Sequence, residues 1–502
     1  MNESRPRSYS AIVHRHWTKA LVAIVALSCG LLLAQTASRA DLERRIERVE
    51  NGLLPAVEIQ GQNTKPKNLG ERMAHFKVPG VSIALIHGGT IEWARGFGVM
   101  RVAGQAVSTG TLFQAASISK PVTSVGALAL VQSGKLSLDQ NVNRWLKSWK
   151  VPENEFTREK PVTLRELLSH SAGITVHGFP GYASGRAVPS LLQVLKGEKP
   201  ANTAAVAVEF TPGSQWSYSG GGFEVVQQLI ADVTSEPFPE FMQKAILSPL
   251  HMDNSTFQQP LNDTLGVNAA TPYRATGEPV EGGAHTYPEM SAAGLWTTPS
   301  DLAGFAISLQ KSAAGQWNPI LTKQMTQQML TVQIKDWGLG VQLAGSGTSA
   351  RFQHAGGNEG FRCFLVAYIN TGDGAVVMTN SDTGDRLAKE VVRSIAHEYH
   401  WPDFHPVQRS LVPVDTHILE SYVGRYEIDP DTNMTITVAN GRLFGQITDD
   451  VKTELFSSSA TTYFATDDDF EVSFLEDSKR RFNKAEIKAY GLQLVGHRVR
   501  TN

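Results

Sequence analysis

The sequence predicts an α+β fold: an antiparallel sheet flanked by helices and interrupted by a mainly helical insertion, followed by a small all-β domain, a barrel or sandwich. Three observations predict it. Two hairpin signals stand far apart in the chain, the segments between them read as helices and loops, and the C-terminal stretch alternates apolar and polar residues. Joining the two hairpins in one sheet buries both apolar faces and makes the helical stretch an insertion.

Arg5, Arg7, Arg15 and Lys19 precede the apolar run Leu21–Ala34, and the small residues of QTASRA follow it. This is the pattern of a secretory signal over residues 1–40, cut near Ala37 or Ala40, and it sends the mature chain to the periplasm. The run is short for a membrane span, which makes an uncleaved signal that anchors the chain to a membrane the lesser alternative. A lipid on Cys29 is less favoured again, because Ala26 stands where an aliphatic leucine is usual.

From Asp41, DLERRIERVENGLL and LGERMAHF read as helices, and VSIALIHGGTIEWARGFGVM as two strands around a Gly88-Gly89 turn. SLLQVLKG, GGFEVVQQLIADVT and SDLAGFAISLQ carry helical patterns. FRCFLVAYINTGDGAVVMTNSD then gives strands at Phe361–Ile369 and Ala375–Thr379, before the helical DRLAKEVVRSIAHEYH. Residues 41–405 make the first domain on this reading. Beyond WPDFHPVQRSLVPVD, MTITVANGRLFGQI alternates on either side of Asn440-Gly441, a two-residue hairpin turn. DFEVSFLED and AEIKAYGLQLVGH continue the alternation, so residues 411–502 form the second, all-β domain.

Composition narrows the function classes. The chain has 502 residues, 41% of them hydrophobic and 19% charged, enough to bury a large core. Its 46 lysines and arginines nearly balance 48 aspartates and glutamates, so no basic field points to nucleic acid. Once the signal is removed Cys363 is the sole cysteine; it has no disulfide partner and reads as a small apolar filler in FRCFLVAY.

The chemistry is concentrated in FQAASISKPVTSVGALALVQSGKL, Phe113 to Leu136. On a helix, residues three apart share a face, so Ser117 and Lys120 can meet while Ser119 points elsewhere. Pro121 cannot donate to the carbonyl of Ser117 and so belongs in or before the first turn, which puts Ser117 at the helix N-terminus, where free N–H groups favour developing negative charge. A serine hydroxyl needs a base to become a nucleophile, and a lysine at this spacing can be one where burial or neighbouring cations keep its amine neutral. Ser308-Leu309-Gln310-Lys311 repeats the spacing near the end of an amphipathic helix, where a serine beside a solvated lysine is the expected reading. TPGSQWSYSGGGFEVVQQLI puts Tyr218 in a loop just ahead of a helix, next to glycines that let backbone approach closely. RFQHAGGNEGF puts His354 ahead of Gly356 and Gly357 at the mouth of a strand.

Taken in order, Ser117-x-x-Lys120, Tyr218-Ser219-Gly220 and His354-Ala355-Gly356 resemble the three motifs of the serine β-lactamase and penicillin-binding-protein superfamily, nearest the branch of class C β-lactamases, D-peptidases and esterases. VTLRELLSHSAGI, LSPLHMDNSTF, SAAGLWTTPSDLAGF and WGLGVQL follow in the order such proteins show, and the resemblance covers about Asn68 to His400. It implies an acylated Ser117, proton transfer by Lys120 and Tyr218, an oxyanion hole from the backbone N–H groups of Ser117 and Gly357, and a pocket-lining His354 that hydrogen-bonds near Tyr218 or orients the substrate. It implies no metal and no organic cofactor. Either Lys120 or Tyr218 can be the principal base.

Two departures shape the expected substrate. Gly220 stands where an asparagine would grip an acylamino group, and His354 and Ala355 replace a lysine and a hydroxyl residue that help hold a carboxylate. These favour a small-molecule ester, or an amide without a required carboxylate, over a strong lactamase. A D-amino-acid peptidase or weak β-lactamase is the alternative among enzymes, and a non-hydrolysing penicillin-binding or cell-wall-sensing protein the alternative outside them. Arg362 is the residue that could restore a cation. His397 and His400 flank Glu398 without the His-Glu-x-x-His spacing and read as cationic caps of a helix C-terminus. HGFPGYASG, His177 to Gly185, reads as a loop over the pocket.

Overall fold

The computed structural model describes residues 39–499 apart from 431, 449, 479, 480, 490 and 491. The expected signal, residues 1–40, thus lies almost wholly outside the described residues, and among these no helix is long and apolar enough to cross a membrane.

A six-stranded antiparallel sheet organises the first part of the chain. Its strands are β1 (Gly80–His87), β2 (Thr90–Gly98), β3 (Gln342–Ala344), β4 (Arg351–Asn358), β5 (Phe361–Tyr368) and β6 (Gly374–Thr379), in the order β2-β1-β6-β5-β4-β3. The two distant hairpins meet as expected, with β1 paired to β6 from Val81↔Thr379 to Ile86↔Gly374. Gly88 and Gly89 turn β1 into β2 with φ of +56° and +75°, the left-handed pair that matches strand twist.

The sheet is covered on both faces, and the side-chain period of two sorts its residues between them. Val81, Ile83 and Leu85 of β1 pack with Ile46 and Val49 of helix α1 (39–50), Met73 of α2 (Leu69–His75), and Leu387, Val391 and Ile395 further along the chain. Those last three lie on α6 (Gly384–Glu398). Ala84 and Ile86 face the other way, into the core shared with α3 (Ser119–Gln132), α4 (Gly220–Thr234) and α5 (Pro299–Ala313). Apolar on nearly every side, α3 is buried almost throughout, as suits a helix at the centre of a domain. One buried ion pair crosses the outer helical layer, where Arg72 meets Glu390 through two bonds of 2.6 and 2.7 Å.

The alternating C-terminal stretch closes into an eight-stranded barrel, which decides between barrel and sandwich. The strands are β7 (Gly424–Glu427), β8 (Asn433–Ala439), β9 (Arg442–Ile447), β10 (Thr453–Ser457), β11 (Thr462–Phe464), β12 (Phe470–Glu476), β13 (Phe482–Ala489) and β14 (Leu492–Arg498), each antiparallel to the next, with β14 returning to β7. Closure leaves no open sheet edge. Tyr426, Met434, Ile436, Val472, Phe474 and Ile487 fill the interior, and Tyr422 stacks on Phe474 at 4.2 Å. Arg386 of α6 holds the barrel through Asp450 (2.5 Å) and Asp468 (3.4 Å), and Lys389 adds a bond to Asp468 (3.2 Å). These contacts bring the β9–β10 connection up to the edge of the first domain.

Candidate active site

Ser117 lies in a single 3₁₀ turn, Ala116–Ile118, that leads into α3, with Pro121 in the first α-helical turn as the sequence required. Ala116, fully buried, has φ of +49°, a left-handed conformation that a non-glycine residue keeps only when its surroundings hold it. The hold is visible: Ala115 N–H donates to Leu295 O (2.8 Å), and Ser119 Oγ accepts from Leu295 N–H (3.0 Å). The spacing of three then delivers the predicted contact. Lys120, only 2% exposed, donates from Nζ to Ser117 Oγ at 3.0 Å and to Ala292 O at 2.9 Å.

Tyr218 sits just before α4 and meets Lys120 through its ring, with Nζ 5.0 Å from the centroid. His354 falls inside β4 rather than at its mouth, because the strand starts at Arg351 and runs through both glycines. Its Nδ1–H donates to Ala355 O at 2.6 Å, leaving the lone pair on Nε2, which is buried without a hydrogen-bond partner among the described groups. Ring centroids of Tyr218 and His354 are 6.4 Å apart, so they share the site through packing. Sequence reasoning missed His170, which lies within the quoted LLSHSAGI. Its ring stacks 4.3 Å from that of Tyr218, and its Nδ1 accepts from Ser219 N–H at 3.2 Å. Trp337, inside the quoted WGLGVQL, stands edge-on to both histidines at 4.8 and 5.5 Å.

Both imidazoles are neutral at neutral pH. Burial pushes His354 down to about 3, with the Lys120 charge acting the same way and the bond to Ala355 O opposing. Burial, then Lys120 and His354, holds His170 well below the ordinary range. The unfolded chain binds a proton near 6.5 where folded His354 does so near 3, so its contribution is complete above pH 6.5 and is lost as pH falls toward 3. That loss is about 1.4 kcal/mol per pH unit for a fully buried group. His354→Asn is expected to flatten the fall of the unfolding midpoint with acid in that window; thermal denaturation in a pH series checks it, and an unchanged slope would place the acid sensitivity elsewhere.

These residues open onto a cleft of about 740 Å³. Ser117, Tyr218, Trp337, His354, Gly356 and Gly357 line one side, Arg274, Arg362, Asp382 and Asp385 another, and Ile447, Thr448 and Asp450 of the barrel a third. Strand β4 can lie against the Ser117 turn because residue 356 is glycine: a Cβ there would sit 2.2 Å from Ala115 O. β3 pairs with β4 only from Arg351 to Gln353, so the edge at His354 to Asn358 faces the turn instead of another strand. Arg362 does line the cleft, but Nη1 is engaged by Asp382 (3.0 Å), Asn358 O (2.6 Å) and Phe361 O (2.9 Å). Its charge is already balanced. Cys363 is a buried wall residue whose thiol burial pushes up to about 12.

Other expected features fall outside the cleft. The 177–185 loop packs behind Tyr218 rather than over the mouth: His177 Nδ1 contacts Tyr218 O at 2.5 Å, the Phe179 ring covers Gly220, and Tyr182 bridges to Thr286. Its aromatic residues found partners deeper in the insertion. Ser308 Oγ donates to Phe305 O on α5 while Lys311 is exposed, so that second Ser-x-x-Lys is a helix face. His397 is exposed in the last turn of α6.

Comparison with known proteins bears on the family and the fold. The β-lactamase family model matches residues 67–399, well over half of the chain, and a model of a domain of unknown function matches residues 408–498. A penicillin-binding protein of Bacillus subtilis is 23% identical over 438 residues, covering 80% of this chain and 91% of its own. Esterase EstB of Burkholderia gladioli is 30% identical over 190 residues, 36% of this chain and 47% of the esterase. The octameric penicillin-binding protein homologue of Pyrococcus abyssi shares the fold with a TM-score of 0.57 at 21% identity, over 85% of this chain and 98% of its own. By fold, by the extent of the family match and by relatives that include hydrolases, the chain belongs to the β-lactamase family.

Proposed function

We propose that this protein is an exported serine hydrolase that forms an acyl-enzyme on Ser117 and acts on small esters, or on amides without a required carboxylate. The observation that carries the reading is the 3.0 Å bond between Lys120 Nζ and Ser117 Oγ, buried at the base of an open cleft. Ser117 Oγ attacks the substrate carbonyl, and its proton passes to the Lys120–Tyr218 pair in its deprotonated form, which then hands it to the leaving group. The backbone N–H groups of Ser117 and Gly357, on the turn and the facing strand edge, stabilise the tetrahedral oxyanion. Water then releases the acyl group, with Lys120 and Tyr218 again handling the proton.

The preference for esters follows from charge. A carboxylate entering the cleft needs an uncommitted cation, whereas His354 is neutral, Arg362 is bound to Asp382 and Arg274 to Glu359. The similarity to an esterase over part of the chain is consistent with this. A missing charge-assisted hydrogen bond is worth about 1.5 to 3 kcal/mol, or about 10- to 150-fold in rate. Turnover of a p-nitrophenyl ester is therefore expected to exceed that of a chromogenic cephalosporin by at least about tenfold in kcat/KM. Equal or faster cephalosporin hydrolysis would reassign the protein as a β-lactamase, and acylation that stops at one equivalent would make it a penicillin-binding sensor. Export, with a signal over residues 1–40 and a periplasmic destination, belongs to the same proposal and is tested by N-terminal sequencing of the protein recovered from the periplasm.

A further inference from the structure

Behind Lys120 lie two glutamates that the acyl-transfer reading leaves unused. Glu224 is on α4, Glu289 directly precedes the turn Met290–Ala293, and both side chains are completely buried. Gln227, one helical turn from Glu224, donates to Pro288 O (3.1 Å) and accepts from Ser291 N–H (2.9 Å). The backbone on either side of Glu289 is thus clamped to the face of α4 that carries Glu224. Ser291 Oγ stands 3.5 Å from Glu224 Oε1, and the next carbonyl, Ala292 O, accepts Lys120 Nζ. Glu224 Oε2 and both carboxyl oxygens of Glu289 have no hydrogen-bond partner among the described groups.

We propose that Glu224 and Glu289 form an acid pair that shares one proton and one negative charge, the counter-charge of the Lys120 ammonium, and so act as positioning residues for proton transfer at Ser117. Two carboxylates buried on facing segments, three of their four oxygens without a partner among the described groups, resist ionising together, and a buried ammonium without an anion is costly. One proton between two carboxyls meets both conditions and leaves the interior neutral. The oxygens that Lys120 contacts, Ser117 Oγ and Ala292 O, are uncharged. The groups that face the pair are Lys120 from α3, Tyr182 from the 177–185 loop and Tyr287 two residues before Glu289. Burial raises both phenols, so they stay neutral. Burial likewise raises both carboxyls above the ordinary range, and at Glu224 the Glu289 charge adds while Lys120 opposes.

The inference rests on Lys120 as the proton partner of Ser117, but its first test needs no turnover. Infrared difference spectra at neutral pH are expected to show a protonated-carboxyl band in the wild type that both Glu224→Gln and Glu289→Gln lose, because the remaining carboxyl then carries the charge. Other buried carboxyls cancel in the difference, and a glutamate still protonated in the single variants shows in the difference between the two of them. Glutamine imitates a protonated glutamate, so each single variant keeps the wild-type pH–rate profile for ester hydrolysis. The double Gln variant removes the charge, Lys120 and Tyr218 release protons more readily, and the profile moves to lower pH by about one unit. A band that survives in a single variant means a fully protonated pair, and no difference between wild type and single variants means a fully ionised one; either overturns the proposal, as does an unmoved profile in the double variant. If the double variant does not fold, the infrared comparison of the single variants decides. Absence of ester turnover in the wild type would instead count against the hydrolase reading.

Discussion

Ser117→Ala is expected to lower kcat/KM for an activated short-chain ester by at least about 10⁴-fold and to abolish the covalent adduct seen by intact-mass spectrometry. The substitution deletes the reacting atom and little else. Ser117 holds its place through the backbone of the Ala116–Ile118 turn, not through its side chain, and Lys120 keeps its bond to Ala292 O. The strained Ala116 and the Leu295 contacts that hold it are untouched. The unfolding midpoint should therefore stay within a few degrees of wild type. An adduct that persists in the variant would move the nucleophile elsewhere, with Ser119 the nearest hydroxyl in sequence; its Oγ is buried and occupied by Leu295 N–H, which argues against it. Residual activity only a few-fold below wild type would end the acyl-enzyme reading.

What could be read from sequence was what rests on short-range spacing. Ser117 and Lys120 are one helical turn apart, and Gly88-Gly89 and Asn440-Gly441 are turns in which two adjacent residues dictate the geometry, so each was legible from a few letters. The alternation past Met434 likewise named an all-β domain, though not that β14 would return to β7, since closure is decided by pairing across the whole stretch. Contacts between distant segments left no local trace. Glu224 and Glu289 meet only because α4 packs against the 288–292 segment, and Gln227, which clamps them, looks like any polar helix residue. His170 was hidden in LLSHSAGI because its role depends on a φ of +59° and on Tyr218 stacking over it. The barrel's share of the cleft, through Ile447, Thr448 and Asp450, follows from the Arg386 ion pairs that dock it. The 177–185 loop, read as lying over the pocket, adds no residue to the cleft lining; Phe179 packs on Gly220 of α4 and Tyr182 bridges to Thr286, contacts that no local signal announces.

Lys120→Met should cost kcat/KM about 10³- to 10⁴-fold. Methionine nearly matches the lysine stem in length and suits the apolar wall that the Tyr218 and Phe223 rings present to Nζ at 5.0 and 5.7 Å. What disappears is the group that contacts Ser117 Oγ and its capacity to carry a proton. Because proton removal from the serine precedes acylation, the loss should fall on adduct formation itself: the rate of mass increase with an activated ester drops in parallel with turnover, and no acyl-enzyme accumulates. Loss of turnover with adduct forming at the wild-type rate would confine Lys120 to deacylation and leave acylation to Tyr218. Lys120→Arg supplies the contrast between charge and proton transfer. It restores a cation beside Glu224 and Glu289, but a guanidinium does not give up its proton, so activity should stay near the methionine level. Recovery by arginine would show that Lys120 acts by charge alone, and that Tyr218, held between His170 and the lysine, moves the proton.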